Sequence, residues 1–293
     1  MSVKIAIASG KGGTGKTTVS LNLFHHLKTQ ATASVQLIDC DVEEPNDALF
    51  LKGYKKQSEE AIHQMIPHID TSQCTFCRQC VEYCEFNAIV VLPTANFAEV
   101  NKSLCHSCGA CTYACPVPEA IIEEAHPIAQ LSCYGNCEHT SLVEGRLNIG
   151  SPMQTLAIKE LLKSHHVNAD IQLLDAPPGT SCPVVATVTQ ADYTILVTEP
   201  SPFGLHDLKL MVALMRELQQ PFGVIINKYE DNFKALDDYL AAEKIEVLGK
   251  IPFSSNYAHQ YARGALLDDI PDTITTAYQA IITHLQSKLL QYA

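Results

Sequence analysis

The sequence predicts an α/β fold built on a doubly wound, mostly parallel sheet. Six short apolar runs rich in β-branched residues recur along the chain, separated by segments with the periodicity of amphipathic helices. Near-continuous apolar strands are typical of parallel sheets covered on both faces, and their alternation with helices favours a doubly wound order. The chain has 293 residues, of which 46% are hydrophobic and 18% charged, so it has enough apolar content for a globular core.

The predicted strands are VKIAIASG (3–10), VQLIDCD (35–41), IQLLDAP (171–177), YTILVTEP (193–200), FGVIINK (222–228) and EVLGKIPF (246–253). Helices are predicted over 16–28, 153–165, 205–219 and 274–290. The last twelve residues, ITHLQSKLLQYA, carry one lysine, so we expect this helix to pack on the sheet and to provide no stable membrane anchor.

The first strand leads into GKGGTGKTT, which fits the phosphate-binding pattern G-x-x-x-x-G-K-[ST] at Gly10, Gly15, Lys16 and Thr17. In such a loop, backbone amides and the N-terminus of the following helix surround phosphate groups. Lys16 is predicted to reach the terminal phosphates, and the Thr17 hydroxyl to bind Mg²⁺. A glycine-rich turn without a ligand is the alternative, and the strand before and helix after the loop disfavour it.

Lys11 adds a second lysine to this loop, and here the chain resembles the MinD/ParA/Mrp family of P-loop ATPases. The segments DCDVEEPN, EGRLNIG and DAPPGTSCPV carry the same resemblance, which covers essentially the whole chain outside a cysteine-rich segment. It implies a P-loop NTPase fold, ATP and Mg²⁺ as ligands, and a homodimer that forms when ATP binds. In that dimer Lys11 would cross to the phosphates of the partner.

The resemblance also implies roles for residues outside the loop. Asp39 and Asp175 would lie near Mg²⁺, although Asp39 alternatively caps a helix, and Asp41 would orient or activate the attacking water. Gly179 would lie close to the γ-phosphate. Catalysis would rest on Lys11, Lys16 and Asp41. The remaining nucleotide contacts would come from Gly10, Gly12, Gly13, Thr14, Gly15, Thr17, Thr18, Asn227 at the adenine edge, and Pro252 and Phe253 near the base.

Two cysteine runs, CTFCRQCVEYC (74–84) and CHSCGACTYAC (105–115), share the spacing C-x₂-C-x₂-C-x₃-C and are offset by 31 residues throughout. This spacing is typical of bacterial iron–sulfur proteins, in which the fourth cysteine of each run ligates the other cluster. A pair of zinc sites is the alternative, but zinc motifs do not normally place third and fourth cysteines at this spacing. The predicted ligand sets for two [4Fe–4S] clusters are Cys74, Cys77, Cys80 and Cys115, and Cys105, Cys108, Cys111 and Cys84.

This cysteine-rich segment resembles a two-cluster ferredoxin. Pro116 follows the second run as the resemblance requires, whereas Glu85 replaces the proline after the first run. We expect a small inserted α+β ferredoxin-like domain over 66–125. The ATPase domain would then be discontinuous, formed by 1–65 and 126–293.

Four cysteines lie outside the two runs. Cys40 is predicted to pack in the core, and Cys182 to be a buried thiol at the start of a helix, with contact to a cluster as its alternative. Cys133 and Cys137 are predicted to be solvent-facing loop thiols. The alternatives for this pair are a cluster bound across a two-fold axis and a redox disulfide. The histidine pairs at 25–26 and 165–166 are predicted to be surface or capping residues.

Composition limits the functions that remain. A net charge of −12, from 20 basic and 32 acidic side chains, disfavours nucleic acid as the main partner. A start that leads directly into a strand predicts a cytoplasmic protein, where twelve cysteines favour metal ligation over disulfides. The sequence thus predicts an ATPase whose nucleotide state is coupled to two clusters, first for ATP-gated electron transfer to a protein partner. The alternatives are an iron–sulfur scaffold that serves a cluster-accepting protein, and a MinD-like spatial regulator with redox-sensing clusters.

Overall fold

The computed structural model describes residues 2–30, 34–136, 139–164 and 166–289. The strands in these ranges are β1 (Val3–Ala8), β2 (Val35–Asp39), β3 (Lys55–Ile69), β4 (Ile89–Leu92), β5 (Phe97–Val100), β6 (Ile121–Asn136), β7 (His139–Leu147), β8 (Ile171–Asp175), β9 (Tyr193–Thr198), β10 (Phe222–Tyr229) and β11 (Val247–Pro252). The helices are α1 (Lys16–Gln30), α2 (Gln79–Glu82), α3 (Ala110–Ala114), α4 (Gln154–Lys163), α5 (Cys182–Val188), α6 (Pro202–Glu217), α7 (Lys234–Ala242), α8 (Ser255–Ala262) and α9 (Asp272–Leu289).

The chain divides into two compact units. The first consists of Met1–Glu60, Leu131–Arg146 and Ile158–Ala293, and the second of Ala61–Gln130 and Leu147–Ala157. The segment 66–125 falls inside the second unit, which extends beyond it at both ends and also takes in 147–157. Its identity as an inserted ferredoxin-like domain stays a prediction.

The main sheet has nine strands in the order β11-β10-β9-β1-β8-β2-β7-β6-β3. The six strands predicted from the sequence form one continuous block of it, from β11 to β2, and all their pairings are parallel. β2 also pairs in parallel with β7. The predicted α/β fold with a doubly wound, mostly parallel sheet is therefore confirmed.

Strands β3, β6 and β7 were not predicted. β3 opens with KKQSEEA, all of it solvent-exposed, so the apolar alternation that identifies a strand begins only at Ile62. β3 ends the strand order, and charged side chains are common on such edge strands because they discourage pairing with other chains. The polar start of β3 is therefore consistent with an edge strand, and it is also the reason why the sequence did not predict this strand.

The core of the first unit joins the sheet to α1 and α9. Tyr278 on α9 is fully buried, as are Ile5 on β1 and Phe24 on α1. The packing of α9 on the sheet is confirmed through Leu285, which is buried in this core. His26 is buried, and its ring stacks on that of Tyr278 with 5.7 Å between the ring centres. The prediction of His26 as a surface residue is therefore wrong. His165 lies outside the described residues. No helix in the described part of the chain is long and apolar enough to cross a membrane.

The second unit has a smaller core that includes cysteine side chains. β4 and β5 form an antiparallel pair, and Ile89 and Val91 of β4 contribute to this core. Cys80 on α2 and Cys111 on α3 are buried in the same cluster. Each short helix carries the third cysteine of one run, so the two helices bring equivalent thiols into one apolar cluster.

Gly249 on β11 lies directly beneath α9, where a Cβ would be 2.3 Å from Cγ1 of Ile281. We expect Gly249→Ala to lower the free energy of unfolding by about 2 kcal/mol, measured by urea unfolding, because the new methyl group overpacks this contact. The double variant Gly249→Ala/Ile281→Ala tests the cause. Its loss should be smaller than the sum of the two single losses, and strictly additive losses would contradict the proposed clash.

Candidate functional site

Three neighbouring strands bring the acidic residues together. In the register of the sheet, Ile7 of β1 lies beside Asp175 of β8, and Asp175 lies beside Asp39 of β2. Both aspartates are the last residues of their strands and are buried. Because the strands are parallel, their carboxyl ends meet at one edge of the sheet, where the loop between β1 and α1 also lies.

That loop depends on glycines at two left-handed positions, Gly13 with φ of 84° and Gly15 with φ of 89°. A Cβ on Gly15 would lie 2.1 Å from Nδ2 of Asn227. The Asn227 amide occupies this space and donates a hydrogen bond to the Thr14 carbonyl at 2.8 Å. Asn227, which the family resemblance places at the adenine edge, thus also supports the loop.

Asp175 is the centre of a buried hydrogen-bond network at the start of α1. Its Oδ1 accepts hydrogen bonds from Lys16 Nζ at 2.9 Å and from Ser20 Oγ at 2.8 Å. Its Oδ2 accepts a hydrogen bond from Thr17 Oγ1 at 2.9 Å. Burial alone would lower the pKa of Lys16, but pairing with Asp175 raises it, so the ammonium is charged. Ser20 was not predicted; it lies one helical turn after Lys16, a spacing that places both on one face of α1.

Asp39 is held by the loop that follows β2. Its Oδ1 accepts a hydrogen bond from the backbone N–H of Asp41, and its Oδ2 accepts from those of Asn46 and Asp47. These contacts do not cap a regular helix, since the residues form a loop and a single 3₁₀ turn. Burial and the charge of Asp175 raise the pKa of Asp39 to about 8. Asp41 is half-buried nearby, and burial raises its pKa as well.

Beside these residues is a cavity of about 430 Å³, within the range of small-molecule sites. Gly10, Asp39, Asp175 and Gly179 lie outside its wall. The structure places twelve predicted site residues on that wall: Lys11, Gly12, Gly13, Thr14, Gly15, Lys16, Thr17, Thr18, Asp41, Asn227, Pro252 and Phe253.

Gly10 and Gly179 are near the cavity without lining it. A Cβ on Gly10 would lie 2.6 Å from the Asp207 carbonyl, so this glycine permits close contact between the loop and α6. Gly179 has φ of 98°, and its N–H donates a hydrogen bond to the Ser9 carbonyl at 2.9 Å. Both glycines therefore shape the backbone around the loop.

Helix α8 supplies a wall that the sequence did not predict. Tyr257 and Tyr261 line the cavity, and the Tyr257 hydroxyl donates a hydrogen bond to Oδ1 of Asn22 at 2.8 Å. Ser254 caps the helix by accepting a hydrogen bond from the Tyr257 N–H. The serine followed by aromatic residues at helical spacing was the available signal for this element.

Lys11 is held within its own chain. Its Nζ lies 3.4 Å from Glu199 Oε1 and 4.0 Å from Asp207 Oδ2, and 5.4 Å from the centre of the Phe203 ring. Glu199 also pairs with Lys228, whose Nζ donates a hydrogen bond to the Gly13 carbonyl at 2.6 Å. Although burial opposes it, pairing with the two lysines lowers the pKa of Glu199, so this carboxylate is charged.

In the second unit, the eight cysteines of the two runs surround two cavities. Cys74, Cys77, Cys80 and Cys115 line one of them. The other is lined by Cys84, Cys105, Cys108 and Cys111. Each cavity thus brings together three cysteines of one run and the fourth cysteine of the other.

The backbone repeats the sequence duplication. Phe76 and Ser107, 31 positions apart, have φ of 52° and 53°, and Arg78 and Gly109 have φ of 70° and 71°. The N–H of Phe76 donates to Cys74 Sγ at 3.3 Å, and that of Ser107 to Cys105 Sγ at 3.5 Å. Both turns therefore direct a backbone dipole at the first thiol of the run.

Burial makes several of these thiols poor acids when nothing positive is nearby. Burial and the neighbouring thiols raise the pKa of Cys80 to about 11, and burial raises the pKa of Cys105 and of Cys111. A cationic metal centre offsets the cost of burying thiolates. Four sulfur donors around each cavity are the donor set that iron–sulfur clusters use.

The structure corrects two predictions about the remaining cysteines. Cys133 lies on β6 and is 1% exposed, so it is not a solvent-facing loop thiol. Cys182 begins α5 as predicted but is exposed rather than buried. Cys40 is buried, in agreement with its predicted place in the core, and Cys137 lies outside the described residues.

Residues 5–267 match the family described as the CobQ/CobB/MinD/ParA nucleotide binding domain. An uncharacterized protein of Methanocaldococcus jannaschii is 29% identical over 269 residues, which cover 89% of this chain and 89% of the relative. The iron–sulfur cluster carrier protein of Pyrococcus furiosus is 27% identical over 256 residues, which cover 84% of this chain and 67% of the relative.

Among solved structures, the septum site-determining protein MinD of Pyrococcus horikoshii, complexed with Mg-ADP, superposes with a TM-score of 0.58 at 17% identity. The alignment covers 96% of this chain and 94% of that chain. The cell division ATPase MinD of Pyrococcus furiosus superposes with a TM-score of 0.58 at 18% identity. That alignment covers 98% of this chain and 99% of the MinD chain. These likenesses establish the fold, that of the MinD and ParA P-loop NTPases.

Two glycines of the loop allow a matched test of its geometry. Gly15→Ala should destabilise the nucleotide-free protein by about 1–3 kcal/mol and weaken nucleotide binding, because it adds a methyl group at φ of 89° against Asn227. Gly12→Ala is the control for stability, since a Cβ there meets no atom within 4 Å. Chemical unfolding measures both variants, and equal stabilities would show that Gly15 does not constrain the loop.

Proposed function

The chain belongs to the CobQ/CobB/MinD/ParA nucleotide-binding family, and on that premise we propose that it is a Mg²⁺-dependent ATPase that gates electron transfer from two [4Fe–4S] clusters. The observation that carries this proposal is the grouping of eight cysteines around two cavities, in a chain that also has a complete P-loop. The receiving protein would be a redox partner.

The proposed ATP hydrolysis uses residues that line or adjoin the cavity. When ATP binds, Lys16 exchanges the Asp175 carboxylate for the β- and γ-phosphates, where its charge stabilises the transferring phosphoryl group. Thr17, Asp39 and Asp175 offer the hard oxygen atoms that suit Mg²⁺, which neutralises charge on the phosphates when bound. Asp41, half-buried on the cavity wall, orients the attacking water.

Lys11 would connect hydrolysis to dimer formation. In the single chain its ammonium is shared between Glu199 and Asp207 and is 35% exposed, so it is available to another acceptor. The phosphates of a second subunit would provide a stronger one. Dimer formation would then depend on bound ATP, as the family resemblance implies.

The two sets of four cysteines fit clusters that stay bound to the protein. Each predicted set supplies four sulfur atoms, and backbone N–H groups donate to Cys74 and Cys105 within them. Ala88 N–H likewise donates to Cys84 Sγ at 3.3 Å. Hydrogen bonds to sulfur hold negative charge on the ligands and tune reduction potentials. Bound clusters supply one-electron redox chemistry, for which a complete set of protein ligands is suited.

A second candidate function is iron–sulfur cluster delivery. The observation that favours it is the similarity to iron–sulfur cluster carrier proteins of Pyrococcus species, at 25–27% identity over 84% of this chain. In that case the clusters are cargo and the partner is an apo-protein that accepts them. Transfer of cluster iron to an apo-acceptor, with loss from this protein, distinguishes delivery from electron transfer.

Four cysteine variants test the ligand sets by their pairing. With crossed sets, Cys115→Ser should produce the same spectroscopic and redox defect as Cys74→Ser, and Cys84→Ser the same defect as Cys105→Ser. Each should lose about four of about eight iron atoms per chain. Cys182→Ser, at an exposed cysteine outside both cavities, is the control. If Cys115→Ser instead matched Cys105→Ser, each run would hold its own cluster.

Nucleotide gating is tested by potentiometry under anaerobic conditions. A non-hydrolysable ATP analogue with Mg²⁺ should shift at least one cluster potential by about 30–60 mV, or about 0.7–1.4 kcal/mol, because coupling requires different energies in the two nucleotide states. Lys11→Ala should reduce the shift while nucleotide still binds. Lys16→Ala should lose ATP hydrolysis with both clusters retained. Potentials and electron-transfer rates unchanged by nucleotide would reject gating and leave cluster delivery.

A further inference from the structure

A third buried carboxylate lies beside the two aspartates at the strand ends and has no part in the roles described above. Asp47 belongs to the single 3₁₀ turn Asp47–Leu49 after β2 and is 0% exposed. Its backbone N–H donates to Asp39, but neither of its carboxylate oxygens has a hydrogen-bond partner in the part of the chain that the structure describes. Buried carboxylate oxygens without partners are rare because leaving them unsatisfied is costly.

One of these oxygens lies in a group of three carboxylates. One oxygen atom from each of Asp39, Asp47 and Asp175 lies within 4.8 Å of the other two. Among the described residues, hydrogen-bond donors reach two of the three carboxylates. Backbone N–H groups donate to Asp39, and the side chains of Lys16, Thr17 and Ser20 donate to Asp175. Asp47 therefore contributes an acceptor to the group without a donor of its own.

The net charge of this buried group also favours a bound cation. Three carboxylates and the Lys16 ammonium sum to −2 when ionised, and all four side chains are buried. Burying a net charge of this size without a counter-ion is unfavourable. One divalent cation would balance the charge, and carboxylate oxygens are the ligands that hard cations prefer.

We propose that Asp39, Asp47 and Asp175 form a site for one hard divalent cation, such as Mg²⁺ or Mn²⁺, that fills before nucleotide binds. This inference deepens the proposed ATPase and rests on it, since it adds Asp47 to the cation side of the nucleotide site. Transfer of Lys16 from Asp175 to the phosphates would remove one positive charge from the carboxylates. Nucleotide binding should therefore tighten the hold on the cation.

The test is an Mn²⁺ titration of the nucleotide-free full chain with its clusters oxidised, followed by the EPR signal of free Mn²⁺. We expect about one tight site per chain, and at least about a tenfold weaker affinity in Asp47→Asn, which removes the charge but keeps the shape. Glu43→Gln is the control, because Glu43 carries the same charge in the same loop and is exposed. Its affinity should match that of the wild type.

Two results would overturn the site: no tight Mn²⁺ binding to the nucleotide-free wild type, or equal affinities in Asp47→Asn and the wild type. If Asp47→Asn does not fold, the wild-type protein still tests the site. A tight site requires that Mn²⁺ raise the unfolding midpoint of the nucleotide-free wild type, and an unchanged midpoint would overturn it. ATP hydrolysis is assayed separately. Hydrolysis with Asp47-independent Mn²⁺ binding rejects this site alone, whereas Asp47-dependent binding without hydrolysis rejects the ATPase alone.

Discussion

The buried carboxylate of Asp175 fixes the start of α1 to the carboxyl end of the main sheet. It lies at the end of β8 and binds Lys16, Thr17 and Ser20, which all project from the first two turns of α1. One buried side chain thus fixes the helix that begins at the phosphate-binding loop. Because the pair with Lys16 is buried, removing either charge would leave the other uncompensated, which is far more costly than breaking an exposed pair.

A second electrostatic connection acts on the loop from the other side. Glu199, just after β9, binds both Lys11 and Lys228, while Lys228 also binds the Gly13 carbonyl. The loop is therefore supported by Asn227 through Thr14 and by Lys228 through Gly13, both from β10. Any ligand that attracts Lys11 must compete with Glu199 and Asp207, so the position of this lysine is sensitive to what occupies the cavity.

The second unit obeys a different constraint, because its core is small and cysteine side chains form part of it. Cys80 and Cys111 pack with Ile69, Ile89 and Val91. Metal binding and folding are coupled where the ligands are themselves core residues. The proposed clusters would then stabilise this unit as well as supply its chemistry, and the paired turns around Phe76 and Ser107 would repeat one ligand geometry twice.

The sequence by itself determined the elements whose signal is local. The six predicted parallel strands are short, mostly apolar runs, the phosphate-binding loop is contiguous, and the two cysteine runs have equal spacing. Each of these features was therefore visible without knowledge of its neighbours. Only the tertiary structure decided contacts between distant segments. It brought Asp47 beside Asp175, 128 positions later, set α8 against the cavity, and gave β3 a sheet position that its polar start conceals. Such contacts depend on strand order and register, which local periodicity does not encode.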